Sequence, residues 1–572
     1  MEHLQRKLAV ARGEQAADLV LHNGRIVNVL SGEIHTGDVA IADGMIVGIG
    51  DYPGGRERVD VEGAFLVPGF IDGHIHLEST MLTAGEFARS VVPRGTSACV
   101  VDPHEYANVV GLAGIEYLLA ASEHLPLDIF VMMSSCVPAT HLESAGARIT
   151  PSDIRLYTGY ERVAGVAELM NFPGVFLGNE SELDKIFASR GKPVDGHAPG
   201  LTGKMLDAYI LAGVSSDHEC TTLEEAREKL RRGMHILLRE GTAERNLHDL
   251  LPLITTGNAA NFSFATDDKH PADLEDEGHI DHHVREAIAA GLDVMLVLQI
   301  ASINTARHYR LARHGAIAPG FWGNIQLCHD LTAPRAHAVY HRGALVARDG
   351  VATFTPPVAQ DDRALRDTMH VAPFTEESFI VPARHDTRIK VIETIPRQIV
   401  TRCAVDDPTV VNDQVIADPG RDILKLAVIE RHKATGNIGV GFVRGFGLQQ
   451  GALASTVAHD AHNIIVLGCN DLDMYAAALH LIRMGGGQCV VHDAHVLAAL
   501  PLPIAGLVSD RPLHEVREGV DALIAAAHSL GCVLPDPFMT LSFLALSPIP
   551  ALKVTDLGLV DAERFELTSL YV

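Results

Sequence analysis

Residues 68–78 read Pro-Gly-Phe-Ile-Asp-Gly-His-Ile-His-Leu-Glu, and the architecture of the chain can be worked out from them. Phe70-Ile71 is a short apolar run of the kind that forms a buried strand, and Asp72, His74 and His76 follow it. In an extended segment, residues i and i+2 face the same side, so the two imidazoles can point at one metal ion. A single His-x-His motif is common. Whether this one binds metal depends on which residues lie at the ends of the neighbouring strands.

Seven further apolar runs follow, separated by amphipathic or Ala-rich stretches that predict helices. The eight candidate strands are Phe70-Ile71, Ala98 to Val101, Ile129 to Met133, Val163 to Ala167, Pro193-Val194, Gly213-Val214, His235 to Leu238 and Phe262 to Ala265. Eight strand-then-helix units over about 200 residues predict an α/β fold, a closed parallel (β/α)8 barrel of the TIM type. The fifth and sixth strands are very short.

Side chains that can bind metal follow most of these strands. The active site of a parallel barrel lies at the carboxyl ends of its strands. The groups found there are His74, His76, Glu78, Asp102, His104, Glu105, Glu168, His197, His218 and Asp267. Imidazoles and carboxylates that converge on one face are typical of a transition-metal site, and this set is large enough for two ions. Two ions can activate water at neutral pH, so the sequence predicts metal-assisted hydrolysis.

The segments on either side of the barrel predict further domains. Short β-branched runs and an Asp43-Gly44 turn within residues 18–66 predict a small β domain, and strand-like runs at 325–327, 338–340 and 345–346 return to it. We predict a small β domain of residues 1–66 plus about 320–385, a barrel of 67–319 and an additional C-terminal α+β domain of 386–572. Residues 351–385 are Pro-rich and predict a linker.

The strand-end motifs resemble those of the amidohydrolase superfamily, and longer strings resemble the bacterial adenine deaminase family. These strings are His74 to Ser79, Asp102-Pro103-His104-Glu105, Ser134 to Pro138, Ala167 to Met170, Asp195 to Gly200, Arg239-Glu240-Gly241, Thr266-Asp267-Asp268 and His459-Asp460-Ala461-His462-Asn463. The likeness spans almost the whole chain. It implies hydrolysis of adenine to hypoxanthine and ammonia, as in purine salvage and adenine catabolism. One departure is the loop 319–325, which lacks the usual Pro-Gly-x-x-Ala-Asp form of the returning β strand.

The resemblance also implies a ligand set and two divalent metal ions per chain. Manganese is the first candidate, with iron or zinc as alternatives. The implied ligands are His74 and His76 for the first ion, His197 and His218 for the second, Glu168 bridging both, and Asp267 on the first ion. Many related enzymes bridge with a carboxylated lysine, and this chain has Glu168 instead. Asp267 would also accept a proton from the attacking water.

Attack at C6 of the purine builds charge at N1, so an acid is needed near that atom. Asp102 is the candidate for this catalytic role and Glu78 is second, although Asp102 could instead cap a helix before Pro103. Candidate substrate contacts are Glu78, His104, Glu105 and Ser135, and a simple turn is an equal alternative for Ser135.

His459 and His462 lie three residues apart near the C-terminus. They could be ordinary polar residues of a folded domain. Alternatively, this region reaches over the mouth of the barrel as a lid or supplies extra ligands. The sequence leaves both interpretations open.

Composition limits the partners. Lys and Arg number 46 and Asp and Glu number 72, which gives a net charge of −26. Such a surface repels phosphate backbones and anionic lipid, so nucleic-acid and membrane-surface binding are disfavoured. The eight cysteines form no CxxC pair, and no apolar run approaches 18 residues. We therefore expect a cytoplasmic enzyme with a small-molecule purine substrate, and a homo-oligomer, with a dimer as the first guess.

Three functions stay open at this point. The first is adenine deamination. The second is deamination of an N6-substituted adenine or another purine, because the sequence does not size the pocket around C6. The third, a non-catalytic barrel scaffold, is disfavoured because all six implied ligands are present.

Overall fold

The computed structural model describes residues 1–357, 361–384, 386–395 and 398–572. Eight parallel strands form the predicted barrel, which is confirmed. They are β1 (Phe70–Ile75), β2 (Thr96–Val101), β3 (Asp128–Met133), β4 (Val163–Leu169), β5 (Val194–Gly196), β6 (Ser216–Asp217), β7 (His235–Arg239) and β8 (Phe262–Ala265). Strands β1 to β5 pair in order, as do β6 to β8. A parallel bridge between Ile75 and Asp267 joins the first strand to the last and closes the ring.

The barrel strands are buried almost throughout, because helices cover their outer faces and side chains fill the interior. The helices between them are Ala84–Val91, His104–Val110, Leu112–Ala121, Pro151–Tyr157, Phe172–Phe176, Glu180–Ala188, Gly203–Ala212, Leu223–Arg231 and Leu247–Leu250. After β8 come Pro271–Asp276, Ile280–Ala289, Val294–Gln299 and Thr305–His308.

One strand prediction is wrong. The sixth strand is Ser216–Asp217, not Gly213-Val214. Gly213 has φ +118° and ends the preceding helix as a left-handed cap, a conformation that suits glycine. The fifth strand likewise starts at Val194 and extends to Gly196. Both strands are very short, so their apolar pattern is too brief to fix their bounds.

A nine-stranded sheet flanks the barrel. Its strands are Ala17–Asn28, Glu33–Ala42, Met45–Gly50, Gly55–Asp60, Phe65–Pro68, Ile325–Cys328, Ala336–His341, Ala344–Arg348 and Val351–Ala352. Phe65–Pro68 pairs with both Ala17–Asn28 and Ile325–Cys328, so segments from both sides of the barrel share this sheet. The returning strand therefore forms although the loop before it departs from the family pattern. The helix Glu2–Ala11 precedes the sheet.

The C-terminal region is built on an eight-stranded sheet, most of it antiparallel. Its strands are Ile389–Thr394, Thr401–Asp406, Leu424–Ile429, Ile438–Arg444, Ala452–Ser455, Ile464–Gly468, Gly487–His492 and His495–Pro501. Helices Asp471–Met484, Leu513–Ser529 and Pro537–Ser542 pack with it. Three-stranded sheets are formed by Val381–Pro382, Thr409–Val411 and Gln414–Ile416, and by Leu552–Thr555, Gly558–Asp561 and Glu566–Leu567.

The predicted linker is described only in part, because residues 358–360 and 385 lie outside the described residues. The 3-10 turns Arg363–Leu365 and Glu376–Phe379 lie within its described part. Among the described residues, no helix combines the length and the hydropathy needed to cross a bilayer.

Candidate active site

The four predicted histidine ligands meet at the carboxyl ends of β1, β5 and β6, and all are buried. The Nε2 atoms of His74 and His76 lie 3.2 Å apart. The ring of His218 stacks on that of His74, with 4.2 Å between centroids. Nδ1 of His76 lies 3.1 Å from the Asp102 carbonyl and must donate to it, which leaves Nε2 free as a ligand.

Glu168 ends β4 in the middle of these histidines. One oxygen, Oε2, lies 2.6 Å from Nδ1 of His197 and 3.1 Å from Nε2 of His218. The other oxygen, Oε1, lies 3.4 Å from Nε2 of His76. Burial alone would raise the pKa of Glu168, but His197 and His218 hold it well below its usual range. Oε2 thus faces His197 and His218, whereas Oε1 faces His76 and, at 3.5 Å, Nδ1 of His104.

Asp267 follows β8 and faces the first histidine pair. Its Oδ1 lies 3.2 Å from Nε2 of His76 and 3.6 Å from Nε2 of His74. Its Oδ2 accepts a hydrogen bond of 2.8 Å from Arg239, a buried guanidinium at the end of β7 that also pairs with Glu219. Arg239 fixes the orientation of the Asp267 carboxylate.

The donor set fits divalent metal ions. Ligand atoms of His74, His76 and Asp267 lie within 4.8 Å of one another, and so do those of His74, Glu168 and His218. Oε1 of Glu168 is buried and has no hydrogen-bond partner among the described residues. An ionised carboxylate left in this state is costly unless a cation completes its environment. Imidazole and carboxylate together suit zinc, manganese or iron.

Asp102, Glu78 and Ser135 come close to this centre but lie behind the cavity wall. Asp102 accepts hydrogen bonds from His104 Nδ1 at 2.9 Å and from Ser134 at 3.2 Å. Its carboxylate therefore does not cap the following helix, which has no side-chain cap. Glu78 accepts from the Tyr106 amide, and burial raises the pKa of Glu78 to about 7.

Ser135 donates to the backbone carbonyl of Glu168 at 2.5 Å, so it supports the bridging residue. His104 and Glu105, in contrast, line the cavity above the histidines, whereas Asp102, Glu78 and Ser135 are not among its described lining residues. The structure therefore places two of the four predicted substrate contacts where a substrate can reach them.

The C-terminal region covers the cavity from above. The space inside the cavity for water-sized groups measures about 30 Å³. The residues that line it from the C-terminal side are Ile399, His459, Asp460, Phe543 and Leu546. His459 and His462 are both buried against Glu105 of the barrel, so this part of the C-terminal region reaches the barrel mouth.

Several cavity residues were missed by the sequence analysis: Arg239, Glu219, Glu244 and Asp268. Arg239 could have been recognised from the sequence, because it is the last residue of β7 and the predicted ligands also lie at strand ends. Glu219 directly follows His218. Neither oxygen of Glu244 has a hydrogen-bond partner among the described residues.

Comparisons with known proteins agree with this geometry. Residues 65–350 match the model of the amidohydrolase family, and residues 398–566 match that of the adenine deaminase C-terminal domain. The chain is 49% identical over 565 residues to an adenine deaminase of Dehalococcoides mccartyi, with 99% of each chain covered. The chain belongs to the adenine deaminase family.

Other members of the family are equally similar. Adenine deaminase 2 of Carboxydothermus hydrogenoformans is 50% identical over 569 residues, and an adenine deaminase of Methanothrix thermoacetophila is 48% identical over 569 residues. In both cases 99% of each chain is covered. The likeness to the adenine deaminase family therefore includes the barrel, the flanking sheet and the C-terminal region together.

Proposed function

We propose that this chain hydrolyses adenine to hypoxanthine and ammonia. The observation that carries the proposal is a cavity lined by histidines, Glu168 and Asp267, in a chain of the adenine deaminase family. The donor set supports water activation, and the cavity lies directly over it.

We propose that the six predicted ligands hold two divalent ions. His74 and His76 with Asp267 would hold one ion, His197 and His218 would hold the other, and Glu168 would face both. Bound ions would lower the pKa of water and so supply a nucleophile at neutral pH. Manganese is our prediction for the ion, with iron or zinc as alternatives.

Asp267 accepts the proton that the attacking water loses. Its Oδ1 faces the histidine pair, while Arg239 holds Oδ2 at 2.8 Å, so the carboxylate is oriented before substrate arrives. A fixed carboxylate at the reacting centre is suited to general base catalysis. Burial would raise the pKa of Asp267, but hydrogen bonds with His74 and His76 and the charge of Arg239 hold it well below its usual range.

For the proton at N1 we propose a role for Asp102 that acts through His104. Asp102 is fully buried and both of its oxygens are engaged, whereas His104 lines the cavity. The Asp102 carboxylate accepts from Nδ1 and stabilises the doubly protonated ring of His104, whose Nε2 proton would be the one transferred to N1. His104, rather than Asp102 or Glu78, is then the group that meets the purine.

The domain boundaries, the cellular location and the oligomeric state are also predictions. We propose a small β domain of residues 1–66 plus about 320–385, a barrel of 67–319 and a C-terminal domain of 386–572. All eight cysteines are free thiols, which supports a cytoplasmic location. We predict a homodimer, which light scattering of the purified protein would test.

The function is tested by ammonia release from a purine panel with the manganese-loaded full chain. We expect the highest kcat/KM with adenine, less with N6-methyladenine, and little with adenosine, because the C-terminal region covers the cavity. The metal-free protein is the control. Comparable kcat/KM for adenosine and adenine would contradict the free-base assignment, and a preference for N6-methyladenine would favour the second function.

A further inference from the structure

The segment 456–463 of the C-terminal region enters the mouth of the barrel. It connects the paired strands Ala452–Ser455 and Ile464–Gly468, so both of its ends are fixed in the sheet. Thr456 donates from Oγ1 to the Gly506 carbonyl at 2.6 Å, and the His462 amide donates to the Ala458 carbonyl at 2.8 Å. The segment is therefore held in one conformation.

A buried arginine supports the same segment. Arg431 is fully buried and donates to the carbonyls of His462 and Ala505, the latter at 2.9 Å. Its Nη1 lies 3.1 Å from Oγ1 of Thr368. Burying a guanidinium is costly unless its donors are all engaged, so this arrangement indicates a segment whose position matters.

His462 uses both of its ring nitrogens within the protein. Nδ1 accepts the Ala458 amide hydrogen at 3.1 Å, so the proton of the neutral ring is on Nε2, which donates to Glu105. A ring in this tautomer has no lone pair left for a metal ion or a substrate. His462 therefore acts by positioning Glu105.

His459 differs in having one nitrogen left over. Its Nδ1 lies 2.8 Å from Oε1 of Glu105 and donates to it. Its ring stacks on Phe543, with 4.8 Å between centroids and 17° between planes, and both residues line the cavity. Among the described residues, Nε2 of His459 has no hydrogen-bond partner.

We propose that His459 is a substrate-contacting residue supplied by the C-terminal region, with Nε2 hydrogen-bonded to a ring nitrogen of the purine and Glu105 and His462 fixing the ring. This inference rests on the proposed function, because that function makes the ligand a purine. The predicted ligands lie at the strand ends of the barrel, and His459 lines the same cavity from the C-terminal region. A planar base would thus be held between the barrel and a residue 354 positions beyond Glu105.

Two conservative substitutions separate this role from a structural one. His459→Asn keeps a side-chain nitrogen where Nδ1 donates to Glu105 but removes the Nε2 end. His459→Gln reaches the Nε2 position but gives up the Nδ1 donor. If His459 contacts the substrate, the Gln variant should retain more purine affinity than the Asn variant. If His459 only supports Glu105, the order should be the reverse.

The experiment measures the dissociation constant of hypoxanthine by calorimetry with manganese-loaded full chains, together with metal content and the thermal midpoint. For His459→Asn we expect affinity weakened by about tenfold or more with normal metal content, the loss typical of one hydrogen bond to a ligand. His495→Asn is the matched control, because this exposed histidine of the C-terminal sheet does not line the cavity, and the affinity of its variant should equal that of the wild type.

A wild-type affinity for hypoxanthine in His459→Asn would overturn the proposal. A higher affinity in the Asn variant than in the Gln variant would also overturn it. Because the Asn variant preserves the hydrogen bond to Glu105, its affinity for hypoxanthine tests the proposal even if the Gln variant fails to fold.

Ammonia release from adenine by the wild type is measured separately. A wild type that binds hypoxanthine but releases no ammonia contradicts the proposed function alone, and a wild type that binds no purine contradicts both.

Discussion

Glu168→Gln removes one charge and one acceptor from the centre of the ligand set. In the wild type, Oε2 serves His197 and His218 at 2.6 and 3.1 Å, and Oε1 serves His76 at 3.4 Å. An amide has a single acceptor oxygen, so it can complete only one of the two histidine pairs. We therefore expect bound metal to fall from about two ions per chain to about one.

The rate should fall further than the metal content. Metal ions stabilise charge in such transition states by several kcal/mol, and the loss of about 2.7 kcal/mol is a hundredfold in rate. We expect kcat of Glu168→Gln to fall by at least about a hundredfold. The assays are elemental analysis of the manganese-loaded protein and ammonia release from adenine. Added bicarbonate should have no effect on the wild type, because a glutamate bridges without carboxylation.

Glu244→Gln is the matched control for metal content. Glu244 also lines the cavity, but none of the described histidines forms an ion pair with it, so its variant should keep normal metal. Burial raises the pKa of Glu244 to about 8, which makes the neutral amide a close substitute near neutral pH. Near-normal metal and rate in Glu168→Gln would refute the bridging role.

Three further predictions concern single carboxylates. Asp267→Asn should lower kcat by about a hundredfold or more, since it removes the general base, and a rate near that of the wild type would assign the base elsewhere. Asp102→Asn should keep two bound ions but lower kcat by about tenfold to a hundredfold, because His104 is no longer oriented; loss of metal would instead place Asp102 among the ligands. Asp128 lies outside the active site, where burial would raise its pKa but hydrogen bonds from two histidines hold it well below its usual range. Its ionised form therefore stabilises the fold above the unfolded pKa, and the stabilisation is lost as pH falls through the folded pKa. Thermal unfolding should show that Asp128→Asn lowers the free energy of unfolding by about 2–3 kcal/mol at neutral pH. The difference from the wild type should vanish well below about pH 4. A difference that stays constant with pH would show that the Asp128 charge is not its cause.

The strand-end rule explains both what the sequence analysis found and what it missed. Predicted ligands at strand ends, such as Glu168 near the end of β4 and Asp267 just beyond β8, point into the barrel mouth because the strand fixes their direction. Asp102 also follows a strand, yet Ser134 and His104 take up both of its oxygens. Which of several polar residues after a strand faces the cavity depends on packing with neighbouring strands, and a single sequence does not record it.

The sequence by itself determined the barrel and the metal-binding donors, because strand periodicity and the residues next to strand ends are local patterns. Only the tertiary structure decided what closes the cavity. Glu105 and His459 are 354 residues apart, and no local pattern links them. Their contact depends on how the C-terminal sheet seats the segment 456–463 over the barrel. The donors of the predicted metal site can thus be recognised from local patterns at strand ends, while the part of the site that covers the cavity depends on long-range packing.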